Sequence, residues 1–314
     1  MTADGVDVSE PGPILTGTGS DRSRTGLATA TLVVVCVIWG STFVVVKHAV
    51  ERMPVMDFLA WRFAIAALAM FALRPRSVRA LPPTARRNGV ILGLLLAGGY
   101  VAQTFGLERT PATISGFITG LFVVLTPLCS GLLLRRKVGA MAWLAVLIAT
   151  AGLALLSLRG VSVGTGEAIT FLCAVAFALH IVGLGEWSRS SDAYGLAVVQ
   201  LGTVAVVSIV VSAPKTLSPP PDAGVWGAIL LTSLAATAFG FFGQTWAQAH
   251  LPPTRAAVVM TMEPVFAGVF GVLIGGDELT ARTVAGALLV LAAMYLVELG
   301  PRHAADATVE RLEV

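Results

Sequence analysis

Between residues 27 and 299, long apolar runs alternate with short polar joints. Ten runs stand out, at about 27–49, 56–73, 88–107, 110–134, 138–158, 168–185, 193–213, 223–249, 256–276 and 281–299. A helix needs roughly 20 apolar residues to cross a bilayer, so each run predicts one membrane span. The tenth is the weakest, because Arg282 and Glu298 leave a short uncharged centre. It is retained because the fifth run holds the matching place earlier in the chain. The Gly-rich stretch 159–167 and the Pro-rich stretch 214–222 read as loops. Residues 1–26 are rich in Gly, Ser, Thr and Asp without an apolar core. They predict a disordered tail rather than a cleaved signal peptide. Residues 300–314 predict a second polar tail.

The same pattern occurs twice. Gln103-Thr104, Pro111 and Thr113 recur as Gln244-Thr245, Pro252 and Thr254, all at one constant offset along the chain. Gly99 and Tyr100 meet Gly240 and Phe241 on that same repeat offset. The chain therefore divides into repeats 27–158 and 168–299, joined by 159–167. Five spans per repeat is an odd number, so the second repeat enters the membrane from the opposite side. The predicted fold is an all-α integral membrane protein: ten transmembrane helices as two inverted five-helix repeats.

Charge orients this arrangement. With the N-terminus in the cytoplasm, most of the Lys and Arg fall inside: Arg22, Arg24, the five arginines between Arg74 and Arg87, Arg135-Arg136-Lys137, Arg189, Arg255, Arg302 and Arg311. Only Lys47, Arg52, Arg109, Arg159, Lys215 and Arg282 fall outside, with Arg62 inside a span. That bias follows the positive-inside rule and places both tails in the cytoplasm. Composition removes the soluble alternative: 56% of the residues are hydrophobic and 12% charged, where a soluble domain carries about 25% charged. A net charge of +3 points to no particular partner, and nucleic acid is not expected. Cys36, Cys129 and Cys173 each lie in an apolar stretch and read as small core residues. The four histidines, at 48, 180, 250 and 303, form no H-E-x-x-H motif. No metal or cofactor is expected, and no phosphate-binding loop of the ATPase type occurs.

Several short motifs then point to a family. Trp39-Gly40-Ser41-Thr42-Phe43, with Pro54 and Arg62-Phe63 behind it, resembles the opening of EamA-type proteins of the drug/metabolite transporter superfamily. Met262-Glu263-Pro264-Val265-Phe266 and Gly276-Asp277-Glu278-Leu279 resemble the closing signature of that family. Gly116 to Leu121, continuing to Pro127, is similar to the fourth span of one bacterial subgroup. The resemblance covers about residues 30–299. It implies a ten-helix inverted-repeat carrier in the cytoplasmic membrane, both termini cytoplasmic. It also implies a cavity lined mainly by spans 1, 3, 4, 6, 8 and 9, and export of small metabolites. The chain departs at Arg135-Arg136-Lys137, where a family-like Gly-Glu would close span four. The stretch from Gln103 to Pro127 is also longer than that from Gln244 to Pro264, by an extra helical turn. Spans four and nine are therefore expected to bend at different depths.

The candidate chemistry lies in polar groups at lipid depth. A charged side chain mid-span costs roughly 2.5–3.5 kcal/mol on insertion scales. Glu263 must therefore be neutral, paired or facing a wet cavity. It reads as a proton-coupling or amine-binding group, or as a structural carboxyl beside Pro264. His180 falls on the repeat partner of Trp39 and is either a second proton-coupling group or a packing histidine. Arg62 and Lys47 are charge-anchor candidates for a substrate carboxylate, against interfacial or snorkelling roles. Tyr100, Gln103, Gln244 and Trp246 supply aromatic and amide groups that either line a solute path or join helices. Gln248 belongs with them. Trp39, Ser41, Thr42 and Thr119 complete the expected substrate-binding set.

These residues predict a secondary carrier rather than an enzyme. It exports a small metabolite, such as an amino acid or related amphiphile, by alternating access with proton or exchange coupling. A sugar-phosphate or nucleotide-sugar exchanger would need several cations at the cavity, and only Arg62 and Lys47 lie near enough. A channel or a non-transporting scaffold ranks below both. The expected partners are the small-molecule substrate and membrane lipid, with room for a homodimer.

Overall fold

The computed structural model describes residues 19–135, 138–159, 162–187, 192–248, 250–251 and 259–299. The expected tails 1–18 and 300–314 lie outside the described residues. So do the repeat members Pro252 and Thr254, the side chains of Thr245 and Gln248, and the basic residues Arg136, Lys137, Arg189 and Arg255.

The first half of the chain contains α1 (Gly19–Val50), α2 (Val55–Leu73), the short α3 (Pro75–Arg79), α4 (Pro83–Leu107), α5 (Ala112–Gly120), α6 (Phe122–Leu134) and α7 (Ala140–Ser157). Two-residue strands β1 (Leu158–Arg159) and β2 (Ser162–Val163) pair antiparallel across the joint. The second half contains α8 (Thr165–Trp187), α9 (Ala193–Ser212), α10 (Ala223–Leu230), a π-helical segment at Leu231–Phe239, α11 (Gly240–Gln248), α12 (Glu263–Leu273) and α13 (Ala281–Leu299).

Among the described residues, seven helical segments are long and apolar enough to cross a membrane. Three further apolar helices are shorter, at Ala140–Leu156, Glu263–Leu273 and Ala281–Val297. The outward faces carry Leu68, Leu132, Leu147 and Val210, each more than half exposed. Such continuous apolar surface suits lipid and not water. The protein is a multi-pass membrane protein, and helices suit that role because they satisfy their backbone groups internally.

Two local expectations change. Helix α1 starts at Gly19, so residues 19–26 are helical where the sequence predicts a disordered tail. Helical hydrogen bonds are internal and do not stop at the edge of the hydrocarbon; the Thr29 hydroxyl also donates to the Thr25 carbonyl at 2.9 Å. Spans four and nine, expected to bend at different depths, break at matching positions. Helix α6 begins at Phe122 and α12 at Glu263, which are partners on the repeat offset. Proline is not what sets the break in span four: Pro127 lies inside α6, whereas Pro264 sits in the first turn of α12, where its missing N–H costs nothing.

The principal packings join the two halves: α4 on α8, α7 on α13, α2 on α9, and α1 on α12. Gly99 and Gly240, partners on the repeat offset, make two close approaches possible. A Cβ on Gly99 would collide with the Phe177 ring, and one on Gly240 would lie 2.5 Å from Trp39 Nε1. Each glycine admits an aromatic side chain from the first helix of the opposite half.

Candidate solute cavity

A cavity of about 310 Å³ lies at the centre of the bundle. Its walls come from α1, α4, the α5–α6 break, α8, α11 and the start of α12, as the family resemblance implied. Two further elements contribute: Arg62 from α2, and Ala193, Leu196, Ala197 and Gln200 from α9.

The structure brings together nine sequence-selected residues at this cavity: Trp39, Thr42, Arg62, Tyr100, Gln103, Thr119, His180, Gln244 and Glu263. Three others do not line it. The Ser41 hydroxyl turns back to the Ile38 carbonyl at 2.7 Å, as a hydroxyl inside a helix readily does. The Trp246 ring packs on His250, 4.7 Å between centroids. Lys47 Nζ donates to the Thr110 carbonyl at 2.7 Å and so ties the end of α1 to the α4–α5 loop. Lys47 is therefore occupied by backbone rather than presented to a solute.

The duplicated glutamines occupy equivalent places. Gln103 Nε2 donates to Thr119 Oγ1 at 3.4 Å, and Gln244 Nε2 lies 3.5 Å from the Met260 sulfur. Thr119 and Met260 are themselves partners on the repeat offset. Each glutamine thus reaches from one span to the break region of the next. The threonine beside the first is different: Thr104 is buried and its hydroxyl donates to the Tyr100 carbonyl at 2.8 Å.

The charged groups break this symmetry. Glu263 opens α12, so its carboxyl sits in the turn whose backbone N–H groups form the positive end of the helix dipole. Its counterpart on the offset is Phe122, which also lines the cavity. Arg62 is only 4% exposed. Its guanidinium carbon lies 5.1 Å from the Phe63 ring centre and 5.0 Å from that of Tyr100, a cation–π arrangement on two rings. Its Nε donates to Thr237 Oγ1 at 3.2 Å. The ion pairs found among the described residues, Arg52–Asp222 and Arg109–Glu108, involve neither Arg62 nor Glu263. The cavity therefore carries one cationic and one acidic group that do not pair with each other.

His180 is buried, and its Nε2 lies 2.6 Å from Gln200 Oε1. Gln200 Nε2 donates to the Leu196 carbonyl at 3.2 Å. With its amide nitrogen engaged, Gln200 presents its oxygen, so His180 carries a proton on Nε2. Gln200 is the main polar residue that sequence reading missed. Its signal was a lone amide in the apolar run 193–213; its offset partner is Leu59, so the repeat drew no attention to it.

Polar links gather at one end of the bundle. Besides Lys47–Thr110, the Thr113 amide donates to Asp277 Oδ2 at 2.7 Å, and the Ser218 amide to Asp57 Oδ2 at 3.1 Å. Trp61 Nε1 donates to the Ser218 carbonyl at 3.0 Å. Arg52 pairs with Asp222. The cavity extends the other way, to Leu184 near the end of α8 and Ala193 at the start of α9.

Comparison with known proteins adds a family to this geometry. The model of the EamA-like transporter family matches residues 26–158 and again 164–299. An uncharacterized transporter of Archaeoglobus fulgidus is 32% identical over 269 residues, covering 85% of this chain and 84% of its own length. The uncharacterized transporter YyaM of Bacillus subtilis is 26% identical, covering 80% and 87%. The uncharacterized inner membrane transporter YedA of Escherichia coli K12 is 23% identical, covering 84% and 88%. One protein of known crystal structure shares the fold, with a TM-score of 0.62 at 19% identity, over 92% of this chain and 99% of its own.

Proposed function

The chain belongs to the EamA-like transporter family, and we propose that it is a secondary carrier exporting a small amphiphilic metabolite, such as an amino acid, by alternating access. The observation that carries this reading is the cavity lined by both Arg62 and Glu263, which do not pair with each other, together with amides and aromatic rings. A carboxylate at Arg62 and an amine at Glu263 would each find an opposite charge, as a zwitterion requires. A sugar phosphate fits less well: Arg62 is the single Lys or Arg lining the cavity among the described residues.

We further propose the ten-span inverted repeat, with both termini cytoplasmic. Two family matches of similar length support it, as do the helix breaks at Phe122 and Glu263 and the equivalent reach of Gln103 and Gln244. In that orientation the end tied by Lys47, Asp57 and Asp277 is external, and the structure represents an inward-open state. Glu263 and His180 are the proposed proton-coupling groups.

The test is transport by purified protein in proteoliposomes loaded with labelled amino acids. Unlabelled substrate on the opposite side should accelerate loss of label. Absence of acceleration across all twenty amino acids would reject the substrate class.

A further inference from the structure

Span eight contains a π-helical segment behind the cavity wall, where its repeat partner α4 is α-helical throughout. Helices with i→i+5 hydrogen bonds are rare and concentrate at functional sites. Here the segment runs nine residues, Leu231–Phe239, with no proline inside it. The Thr237 hydroxyl donates to the Thr232 carbonyl, five residues back, at 2.8 Å. Its single proton is thereby committed, and its lone pairs accept the Nε–H of Arg62 at 3.2 Å.

This bond decides what Arg62 offers. A guanidinium has five N–H donors in a rigid fork. The Nε–H is used on Thr237. The Phe63 and Tyr100 rings flank the group, 5.1 and 5.0 Å from its central carbon to their centres. The two Nη amino groups remain, on a side chain that lines the cavity yet is 4% exposed. No carboxylate of a described residue pairs with it. A buried cation without a counter-ion is costly, and a ligand anion removes that cost. On the repeat offset Thr237 matches Leu96, and Arg62 matches Thr203, so neither partner of the bond is repeated.

We propose that Thr237, presented by the π-helical turn, is a positioning residue that holds Arg62 as the receptor for a single carboxylate of the solute. The inference rests on the carrier reading for the word solute, but the receptor itself can be tested without transport. The two-donor edge can hold a carboxylate or a phosphate, but one cation balances the single charge of a carboxylate and only part of that of a phosphate dianion. The α-helical alternative for this segment would turn Thr237 away from Arg62, because a one-residue change of register rotates every later side chain by about 100°.

The full-length protein in lipid nanodiscs, labelled with 15N-arginine, provides the readout. Arg62→Lys identifies the Arg62 signals. Benzoate is the carboxylate probe and benzamide its neutral isostere. In the wild type, benzoate should shift the Arg62 Nη signals and benzamide should not. Thr237→Val keeps the side-chain shape and removes the acceptor. It should displace the Arg62 Nε signal and weaken benzoate binding about tenfold, roughly the worth of one hydrogen bond to a charged group. Thr237→Ser should restore both. If the valine variant does not fold, Thr237→Ala takes its place. The proposal is overturned if benzoate leaves Arg62 unmoved, if benzoate and benzamide act alike, or if removing the hydroxyl changes neither signal nor affinity. If the benzoate pattern holds while no amino acid is exchanged in proteoliposomes, the carrier's substrate class fails and the positioning role stands.

Discussion

At the scale of residues, the polar groups of the cavity divide into pairs that repeat and groups that do not. Gln103 and Gln244 repeat and make matching contacts. Arg62, His180, Gln200 and Glu263 do not, and these give the cavity its chemical direction. Glu263→Gln removes the only acidic group among the described cavity-lining residues. If Glu263 carries the coupling proton as well as meeting the solute's amine, the variant exchanges solute more weakly and loses the pH dependence of net transport; an unchanged pH profile in proteoliposomes would refute the coupling role. Gln200→Leu should act differently, because it strands the buried Nε2–H of His180. Interhelical hydrogen bonds in membranes are worth about 0.6–2 kcal/mol. The detergent-solubilised variant should therefore melt a few degrees lower, and Gln200→Asn should not recover the loss, being too short to reach. A Gln200→Leu variant as stable as the wild type would contradict the assignment of that bond.

At the scale of elements, the ends of helices act as joints. Asp277, from the α12–α13 loop, accepts from the Thr113 amide in the first turn of α5 and caps that helix from a distance. Loss of a capping side chain costs about 0.5–2 kcal/mol. Asp277→Ala should therefore loosen this end of the bundle. A cysteine replacing Val46, in a background without the native thiols, should then react faster with a membrane-impermeant reagent from the Lys47 side; equal rates would argue against the link as a seal. Gly240→Ala should also disturb the cavity, since the added carbon meets Trp39 Nε1. That indole donates to the Ala236 carbonyl at 2.7 Å, so its fluorescence should report the displacement.

These elements also show why some of the architecture is legible in sequence and some is not. The apolar runs are set by bilayer thickness, which leaves a long and simple signature, and the described helices follow them closely. The break of span four is harder to place, because Pro127 is the visible helix breaker and the turn falls elsewhere. It lies at Leu121, after Gly120, and carries no proline. The π-helical segment leaves no sequence signal: LTSLAATAF contains neither glycine nor proline. Thr237 escapes a sequence reading for that reason. Lys47 looks like an anchor because sequence places charge near a membrane face without saying which backbone carbonyl lies opposite. Ser41 misleads similarly, since a hydroxyl in a helix has a partner within its own turn.

At the scale of the whole molecule, the two halves share one cavity and meet along interfaces that mostly cross between them. On the proposed reading, duplication supplies the frame and single-copy residues supply the selectivity. On the proposed orientation, the Arg-rich segment between Arg74 and Arg87 lies in the cytoplasm. A cysteine placed there should resist impermeant reagent added to intact cells and react in inverted vesicles; the opposite pattern would reverse the assigned direction of the cavity.

The central question is whether solute passes through the space between Arg62 and Glu263. The direct measurement is exchange of labelled substrate in proteoliposomes by the wild type and by the double variant Arg62→Ala, Glu263→Gln, with folding checked by thermal unfolding. Saturable exchange is expected from the wild type, with its loss, by at least about tenfold, in a folded double variant. Exchange at the wild-type rate by that variant would place the solute path elsewhere.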